Sequence, residues 1–287
     1  MLARLLRLVN LRDHARRDYR GVTPAGAARL ASATSDEAIA FVCNICGAAC
    51  ALPRAMLERE AGNCPGCGST VRARAIVHHM SIALFGKSLP IRRFPRRARR
   101  LTGLGMTDAD VYARPLAKRL DYRNTYLHMA PKLDIRDVDA AMIGTCDFVT
   151  SSDVLEHVDP PVLDAFVNLR RLLKPGGVLV LTVPFAMDGP TREHFPDLYA
   201  YRIERQADAY VLVNRTRAGV EQRFEELVFH GGPGSTLELR LFSKPGLAQV
   251  LADAGFTDVT FHAEPCLAHG IDWAYPWSVP ITARAAS

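Results

Sequence analysis

The sequence lacks any uninterrupted run of about 18 apolar residues, the length that a membrane-spanning helix requires. The apolar stretch over residues 1–11 is interrupted by Arg4 and Arg7, and no convincing small-residue cleavage site follows it. We therefore expect neither a secretory signal nor a transmembrane segment, and a cytoplasmic location. The sequence also contains no internal repeat. Hydrophobic residues make up 48% and charged residues 23% of the 287 positions, which excludes disorder over the whole chain.

A disulfide framework is disfavoured, because the seven cysteines are odd in number and four of them form two Cys-x2-Cys pairs. Each pair is followed by glycine, and 17 residues separate the pairs. Such turns present two thiolates on one side of the chain, and two turns complete the tetrahedral sulfur set that Zn²⁺ prefers. We predict a structural zinc ribbon over residues 41–70 in a reducing compartment, with a redox dithiol or an iron–sulfur cluster as alternatives. The predicted ligands are Cys43, Cys46, Cys64 and Cys67.

Positive charge is concentrated in the first part of the chain. Residues 1–100 contain 18 Lys and Arg against 6 Asp and Glu, whereas residues 101–287 contain 18 against 24. Six of the arginines lie in one short run, residues 92–100. A phosphate-binding patch is one interpretation of this run. We favour a solvated linker, because Phe94 is the only aromatic residue in the run and gives bases no platform for stacking.

Hydrophobic patterning divides the chain into several parts. From about residue 98, strand-like and helix-like patterns alternate, and Val178–Val183 is an unbroken apolar run of the kind found in strands buried on both faces. This alternation predicts an α/β domain with a doubly wound, Rossmann-like sheet. The predicted parts are a basic N-terminal helix with a linker (1–40), the zinc ribbon (41–70), a helix with an Arg-rich linker (71–97), the sheet domain (98–265) with an insertion at about 185–242, and a C-terminal tail (266–287).

The same patterns predict individual elements. Helices are predicted over residues 71–86, 108–120, 160–173 and 244–254, and Asp108 is the expected N-cap of the second. Strands are predicted over residues 100–106, 124–128, 147–151, 178–183 and 259–262. An inserted hairpin is predicted at about 210–242.

Three segments of the sheet domain carry a likeness to one enzyme family. Residues 147–158 are DFVTSSDVLEHV, residues 172–184 are LLKPGGVLVLTVP, and residues 242–256 are FSKPGLAQVLADAGF. In this order they resemble the class I S-adenosylmethionine-dependent methyltransferases, especially those that act on small molecules. The resemblance covers roughly residues 98–262. The cysteine module, followed by Arg72-Ala73-Arg74, is similar to a subset of this family with an N-terminal zinc ribbon.

The resemblance implies methyl transfer from S-adenosylmethionine to a small-molecule acceptor, with the cofactor beyond the carboxyl ends of the strands. The family's glycine-rich turn corresponds to residues 103–106, GLGM, with Thr107 where a third glycine would fall. The second strand lacks the usual ribose-binding acid, and His128 stands there instead. Because only five residues separate His128 from Asp134, we expect the following crossover helix to be missing. The implied cofactor residues are Gly103, Gly105 and Met106 in the glycine-rich turn, His128 at the ribose, Asp134 and Ile135 at the adenine, and Ser152 and Asp153 at the methionine part.

The resemblance also implies substrate-facing groups after two strands. His157 follows the fourth strand and His194 follows the fifth, and a histidine can take a proton from an acceptor hydroxyl near neutral pH. We predict both as catalytic residues. The alternative for the first is that Glu156 and His157 cap a helix and face solvent. The loop that begins at His230 is a further substrate-side candidate, with a simple turn as its alternative.

Two other functions stay open. A nucleic-acid methyltransferase would use the basic N-terminal part and the ribbon, although residues 159–161, Asp-Pro-Pro, are not the Asn-Pro-Pro-Tyr signature of enzymes that methylate amino groups of nucleic acids. A non-catalytic binding protein would account for the incomplete glycine turn and the missing ribose-binding acid. Steep salt dependence of RNA binding would support the first. Failure to bind S-adenosylmethionine would support the second.

Overall fold

The computed structural model describes residues 36–206 and 209–286. The basic helix expected near the N-terminus lies outside the described residues. The described chain forms two compact units. Of the described residues, the larger unit contains those up to Val154, Leu163–Val183 and those from Ala248 onward. The smaller unit contains Leu155–Val162 and Pro184–Leu247.

Helices and strands alternate along the described chain. Its four α-helices are α1 (Val71–Phe85), α2 (Asp110–Ala117), α3 (Val162–Leu172) and α4 (Lys244–Asp253). Its sixteen strands are β1 (Ala38–Val42), β2 (Ala49–Pro53), β3 (Thr102–Met106), β4 (Asp121–Thr125), β5 (Cys146–Ser152), β6 (Leu173–Thr182), β7 (Phe185–Ala186), β8 (Arg192–Glu193), β9 (Ala200–Gln206), β10 (Ala209–Arg215), β11 (Glu221–Phe224), β12 (Phe229–His230), β13 (Thr236–Leu237), β14 (Arg240–Ser243), β15 (Phe256–Phe261) and β16 (Ile281–Ala285). Within the described residues, none of the helices combines the length and apolarity needed to cross a bilayer.

The cysteine module begins with a hairpin and ends with a helix. β1 and β2 pair antiparallel, with Phe41 opposite Cys50. α1 begins where the Thr70 hydroxyl accepts a hydrogen bond from the Ala73 N–H at 3.3 Å. It ends at Gly86, whose φ of 71° is left-handed. The helix agrees with the one predicted over residues 71–86, because the signals at both of its ends are local.

The larger unit is built on a six-stranded sheet with the strand order β15-β16-β6-β5-β3-β4. The four strands β4, β3, β5 and β6 run parallel. β16 pairs antiparallel with β6, and β15 pairs antiparallel with β16. Residues 178–181 of β6 are all buried, which explains the unbroken apolar run in a strand covered on both faces. The predicted α/β, Rossmann-like fold class is confirmed.

The segment predicted as a C-terminal tail is part of this sheet. β16 lies between β15 and β6 and pairs with both. Its residues Ile281, Ala283 and Ala285 are buried, and the two residues between them are half-buried. This is the period of two that a strand requires. The prediction of a tail over residues 266–287 is wrong, because two of the three buried positions are small alanines that give little hydrophobic signal.

The second parallel strand lies earlier in the chain than predicted. β4 ends at Thr125, whereas the sequence pattern predicted a strand over residues 124–128. Leu127 and His128 are exposed beyond the strand. Between β4 and β5 the described chain contains one short 3₁₀ turn, Ala140–Met142, and no α-helix. The missing crossover helix agrees with the expectation from the short spacing.

The arginine-rich run is folded against the protein. It forms two short 3₁₀ turns, Ile91–Arg93 and Arg96–Arg100. Ile91, Phe94 and Ala98 are buried, while all six arginines of the run are exposed. The predicted solvated linker is therefore a packed segment whose apolar residues, spaced three or four apart, anchor it.

The smaller unit consists of short strands around its own core. Its sheets have the strand orders β11-β10-β9, β12-β13 and β7-β14-β8. The core residues are Phe195, Leu212, Phe229, Leu237 and Leu239. The hairpin expected at about 210–242 instead begins at Ala200, where β9 pairs with β10. Its first strand escaped prediction because β9 is mostly exposed and has few apolar residues.

Candidate functional site

The structure brings the four predicted zinc ligands together. Their sulfur atoms all lie within 4.8 Å of one another. The Sγ atoms of Cys43 and Cys67 are 3.8 Å apart, and those of Cys46 and Cys64 are 3.6 Å apart. A tetrahedral zinc ion with Zn–S bonds of about 2.3 Å holds its sulfurs about 3.8 Å apart. The sulfur set therefore fits one zinc ion.

The two turns that present these thiols have the same geometry. The Gly47 N–H donates to the Cys43 carbonyl at 2.8 Å, and the Gly68 N–H donates to the Cys64 carbonyl at 2.7 Å. The glycines have φ values of 83° and 76°, in the left-handed region that residues with a Cβ avoid. The glycine after each cysteine pair is therefore part of the turn itself.

Backbone groups favour negative charge on the Cys64 sulfur, whereas burial raises the pKa of the Cys46 and Cys67 thiols. Burial raises the pKa of the Cys64 thiol, but hydrogen bonds from the Cys67 and Gly66 N–H groups, together with those from the Cys46 and Cys50 thiols, lower the pKa to about 7. Arg74 is fully buried and donates to the Ser69 and Gly270 carbonyls at 2.5 and 2.7 Å. Its positive charge offsets part of the negative charge that four thiolates would leave around a divalent ion.

The two glycines predicted to form a cofactor turn lie inside β3. A Cβ at Gly103 would lie 2.1 Å from Cζ of Phe148, and one at Gly105 would lie 1.9 Å from the Tyr122 hydroxyl. The two aromatic rings stack with centroids 6.0 Å apart. The chain leaves the strand only at Thr107, whose φ is 57°. The glycines therefore admit aromatic rings close to the strand, and their contact with a cofactor stays a prediction.

Asp108 is buried at the carboxyl end of β3. It is not the N-cap of α2, since Ala109 holds that position without a side-chain hydrogen bond. The Asp108 carboxylate instead accepts hydrogen bonds from the Tyr122 hydroxyl at 2.6 Å and from the Thr150 hydroxyl. Burial raises the pKa of Asp108, and these hydrogen bonds offset only part of the rise. The prediction of Asp108 as a cap is wrong, because hydroxyl donors from two strands hold its carboxylate.

Ser152 and Asp153 mark the carboxyl end of β5. The φ of Asp153 is 53°, an uncommon value for a residue with a Cβ. Its N–H donates to the Thr182 carbonyl at 2.8 Å, and the Thr182 hydroxyl donates to its carboxylate at 3.2 Å. The Ser152 and Thr182 hydroxyl oxygens are 2.9 Å apart. The end of β6 thus holds Asp153 in a strained conformation of the kind that clusters at functional sites.

Two arginines of the cysteine module bind Asp153. Arg59 pairs with it in a bidentate manner, with Nη2–Oδ1 and Nη1–Oδ2 distances of 2.6 and 3.0 Å. Arg72 Nε lies 3.5 Å from Asp153 Oδ2, and Arg72 also donates to the Ser152 hydroxyl. Glu60 accepts hydrogen bonds from Arg72 at 2.5 Å and from Arg59 at 2.6 Å. Two cations and two carboxylates therefore meet at the end of β5, and we call this group the charged cluster.

Sequence reasoning missed three members of the charged cluster. Arg59 and Glu60 carry no motif, and Arg72 was noted only as part of a segment that follows the cysteines. Arg59 and Asp153 are 94 positions apart, so no local pattern connects them. Burial raises the pKa of Glu60, but the two guanidinium groups lower it by more, which keeps this carboxylate ionised.

The remaining predicted cofactor residues have different environments. Met106 and Ile135 are buried, and His128 is exposed. Asp134 is half-buried and forms an ion pair with Arg136 at 3.1 Å. The roles of these residues toward the cofactor stay predictions.

In the smaller unit, Glu156 and His157 do not face solvent. Their side chains are 0% and 13% exposed. His157 Nδ1 lies 2.6 Å from the Leu237 carbonyl oxygen. Because a carbonyl only accepts, Nδ1 carries the proton of the neutral ring and Nε2 has the lone pair. Nε2 lies 3.7 Å from Glu156 Oε1. The alternative that both residues are a solvent-facing helix cap is wrong, because the unit folds over them.

Glu238 joins the other histidines of this unit. Its two carboxylate oxygens lie 2.8 Å from His194 Nε2 and 2.8 Å from His230 Nε2. His230 Nδ1 lies 3.8 Å from Glu156 Oε1. Burial raises the pKa of Glu238, but hydrogen bonds from both imidazoles lower it to about 2. The predicted catalytic residues His157 and His194 are thus linked through His230 in one histidine–glutamate cluster, of which the sequence reasoning missed Glu238.

Arg240 supports the turn that carries Glu156 and His157. It is fully buried and donates to the Leu155 and Val158 carbonyls at 2.9 and 2.6 Å. Its Nε also pairs with Glu193 at 2.7 Å. The backbone on both sides of Glu156 and His157 is therefore held by one charged side chain.

Comparison with known families decides the identity of the sheet domain. Residues 95–260, more than half of the chain, match the model of a family described as a methyltransferase domain. The chain belongs to this methyltransferase family. The predicted class, an S-adenosylmethionine-dependent methyltransferase, is confirmed. No curated protein matches the sequence.

Solved structures resemble this methyltransferase at low similarity. The CurJ carbon methyltransferase is 15% identical over 76% of this chain and 56% of its own, with a TM-score of 0.43. The Burkholderia thailandensis 1,6-didemethyltoxoflavin-N1-methyltransferase, with bound 1,6-didemethyltoxoflavin and S-adenosylhomocysteine, is 17% identical over 74% and 79%, with a TM-score of 0.40. The amino pentose methyltransferase CalS10 from Micromonospora echinaspora, bound to S-adenosylmethionine, is 19% identical over 75% and 94%, with a TM-score of 0.40. This chain spans little more than half the length of the first, and similarities this low carry no argument about its substrate.

Proposed function

We propose that this methyltransferase transfers a methyl group from S-adenosylmethionine to a small-molecule acceptor. The family match over residues 95–260 supports the reaction class. The observation that carries the proposal is the charged cluster at the end of β5, where Arg59 and Arg72 meet Asp153. Ligands of open α/β sheets bind beyond the carboxyl ends of the parallel strands, which is where this cluster lies.

The charges of the cluster suit the methionine end of the cofactor. That end carries an ammonium group, a carboxylate and a sulfonium cation, and the bound cofactor supplies an electrophilic methyl group. Asp153 and Ser152 would accept hydrogen bonds from the ammonium group. Arg59 or Arg72 would pair with the carboxylate, since a guanidinium group matches a carboxylate in a bidentate manner. The residues present therefore fit the cofactor in charge and in donor type.

We also propose His157 and His194 as the residues that take a proton from the acceptor. The lone pair of His157 is on Nε2, since Nδ1 is held by the Leu237 carbonyl. His194 Nε2 lies 2.8 Å from a Glu238 carboxylate oxygen, so Nε2 is the donor and Nδ1 has the lone pair of the neutral ring. Positioning contributes much of the acceleration in an in-line displacement. Loss of either histidine should therefore lower kcat by about 10²-fold or more without abolishing turnover.

The zinc ion at Cys43, Cys46, Cys64 and Cys67 is a further part of the proposal. The sulfur separations support one tetrahedral ion. Four thiolates leave no position for a reactive water, so the ion would stabilise the cysteine module and take no part in the reaction.

Isothermal titration calorimetry of the zinc-loaded full chain tests the cofactor half of the proposal. We expect micromolar binding of S-adenosylmethionine and S-adenosylhomocysteine. Asp153→Asn should weaken binding by about 10–100-fold, because a hydrogen bond to a charged group contributes about 1.5–3 kcal/mol. The matched control is Asp164→Asn, which removes an exposed carboxylate on α3 and should leave the affinity unchanged.

Two outcomes would contradict the proposal. Folded wild-type protein that binds neither compound would favour the non-catalytic alternative. An RNA oligonucleotide that binds with a steep dependence on salt, and is methylated, would favour the nucleic-acid alternative.

A further inference from the structure

A third turn in the sequence repeats the pattern of the two cysteine pairs. Residues 266–270 are Cys-Leu-Ala-His-Gly, whereas residues 43–47 and 64–68 are Cys-x-x-Cys-Gly. A histidine stands in the place of the second cysteine. Since thiolate and imidazole are both common zinc ligands, this is the pattern of a Cys-x2-His zinc turn.

The structure folds this segment into a short turn that ends in a left-handed glycine, as both cysteine turns do. It forms a 3₁₀ turn that ends at Gly270, whose φ of 64° is left-handed. The His269 N–H donates to the Cys266 carbonyl at 3.0 Å and the Gly270 N–H donates to the Leu267 carbonyl at 2.9 Å, so backbone hydrogen bonds close the turn.

A second imidazole meets the turn from α1. The Cys266 sulfur and one ring nitrogen each of His78 and His269 all lie within 4.8 Å of one another. The four cysteines of the ribbon satisfy the same criterion. All three side chains are half-buried, so an ion at their centre would be shielded but still reachable from solvent.

Each of the two imidazoles is held by a second partner through its other ring nitrogen. His269 Nδ1 lies 2.9 Å from the Val42 carbonyl oxygen, so Nδ1 carries the proton and Nε2 has the lone pair. His78 Nδ1 lies 2.6 Å from the Ser88 hydroxyl, and in the tautomer whose Nδ1 donates to this oxygen the Nε2 lone pair is left for a metal. Metal-binding histidines almost always hold their second nitrogen by such a hydrogen bond. Both rings are therefore held by hydrogen bonds before any ion arrives.

We propose that His78, Cys266 and His269 bind a second zinc ion. One thiolate with two imidazoles suits Zn²⁺, whereas Mg²⁺ and Ca²⁺ take oxygen ligands. Three protein ligands leave a fourth position for water or for another ligand. The site shares no residue with the ribbon ligands, and it does not depend on the proposed methyl transfer.

The ion would fasten a late segment of the chain to the cysteine module. Gly270 already packs on Phe41 of β1, since a Cβ there would lie 2.8 Å from the ring. The Gly270 carbonyl also accepts a hydrogen bond from Arg74 at 2.7 Å. The turn that carries Cys266 and His269 is therefore docked independently of the metal, which makes the ligand set preformed.

The zinc content of the full chain tests the proposal. Each protein is equilibrated with zinc sulfate, freed of excess ion and analysed by elemental mass spectrometry. We expect Cys266→Ala to bind one zinc ion fewer than the wild type. Cys146→Ala, the matched control, removes a thiol of the same unit that lies outside the proposed site, and it should bind as many zinc ions as the wild type. Circular dichroism and a thermal melt establish that each variant is folded.

A second measurement follows the thiol directly in zinc-loaded protein. Iodoacetamide alkylation, mapped by peptide mass spectrometry, should be faster at Cys266 in His78→Asn than in the wild type. The ribbon cysteines in the same digest should stay protected, which shows that the module is still folded and loaded. Ser88→Ala should weaken zinc protection of Cys266 by about tenfold, through loss of the hydrogen bond to His78. Equal zinc content in wild type and Cys266→Ala, or equal alkylation of Cys266 in wild type and His78→Asn, would overturn the site.

Discussion

Replacing Gly103 with alanine tests whether this glycine serves packing within the sheet. The added Cβ would lie 2.1 Å from Cζ and 2.3 Å from Cε1 of Phe148. Carbon atoms in contact stay about 3.5 Å or more apart, so the ring must move by about 1.4 Å. Phe148 is 0% exposed and stacks on Tyr122, so the ring cannot move into solvent. The strain must therefore spread into neighbouring core residues or into β3.

The expected loss of stability follows from this overlap. Added carbon atoms in a well-packed core cost about 1–3 kcal/mol, and we expect the upper end because the overlap involves a fully buried ring. In a protein of this size about 3 kcal/mol lowers Tm by about 6–12 °C. Thermal unfolding followed by circular dichroism measures the shift.

The double variant Gly103→Ala/Phe148→Leu is the control for Gly103→Ala. Leucine lacks the ring edge that the new Cβ meets, so the double variant should regain part of the Tm that Gly103→Ala loses. Affinity for S-adenosylmethionine, measured well below Tm, should change by less than about twofold, since the expected effect is on packing. A Gly103→Ala variant with the wild-type Tm would refute this reasoning, and an unchanged Tm with lost binding would show that the glycine contacts the cofactor.

Three further predictions concern the buried charges and the cysteine module. The pKa of Glu238 falls from 4.5 to about 2 on folding, so stability that is present above pH 4.5 should be lost as the pH falls toward 2. The free energy of unfolding, measured with urea, should fall by about 3 kcal/mol over this range. Glu238→Gln should flatten the dependence of stability on pH between 4.5 and 2. A variant with the wild-type pH dependence would contradict the lowered pKa of Glu238. Arg74→Met should destabilise the chain by about 3–5 kcal/mol in the same assay, because it leaves buried carbonyls unpaired, and a loss below about 1 kcal/mol would argue against the role of Arg74. Cys64→Ser should remove hydrogen-exchange protection from β1 and β2 while β3, β5 and β6 keep theirs; equal protection of β1 and β2 in wild type and Cys64→Ser would show that the module folds without the thiol.

Local patterns predicted most elements of the larger unit. The helix over Val71–Phe85 has a capping threonine before it and a glycine after it, and both signals lie within a few residues of its ends. β6 was visible because its apolar run is long and unbroken. β16 escaped because its alternation is carried by alanines. The displaced β4 escaped because Asp121–Thr125 is mostly polar, so pairing with β3 defines the strand more than its own side chains do.

The candidate sites were predictable only where their residues are close in the sequence. The ribbon thiols were found because a Cys-x2-Cys turn positions both sulfurs locally. His157 and His194 were proposed from their places after strands, but nothing nearby pointed to Glu238 as the group that binds His194. Arg59 was missed because an arginine that pairs with a distant aspartate has the same local pattern as one exposed to solvent.

The amino-acid sequence by itself determined the sheet domain and the four ribbon thiols, since each depends on periodicity or on spacing within a short segment. Its resemblance to the methyltransferase family implied the reaction class. Only the tertiary structure decided which groups surround Asp153, why β3 contains glycines, and that His78 meets Cys266 and His269. These contacts join positions far apart in the chain. Their geometry is set by how the sheet, the cysteine module and the last strand pack together, and short-range propensities do not encode that packing.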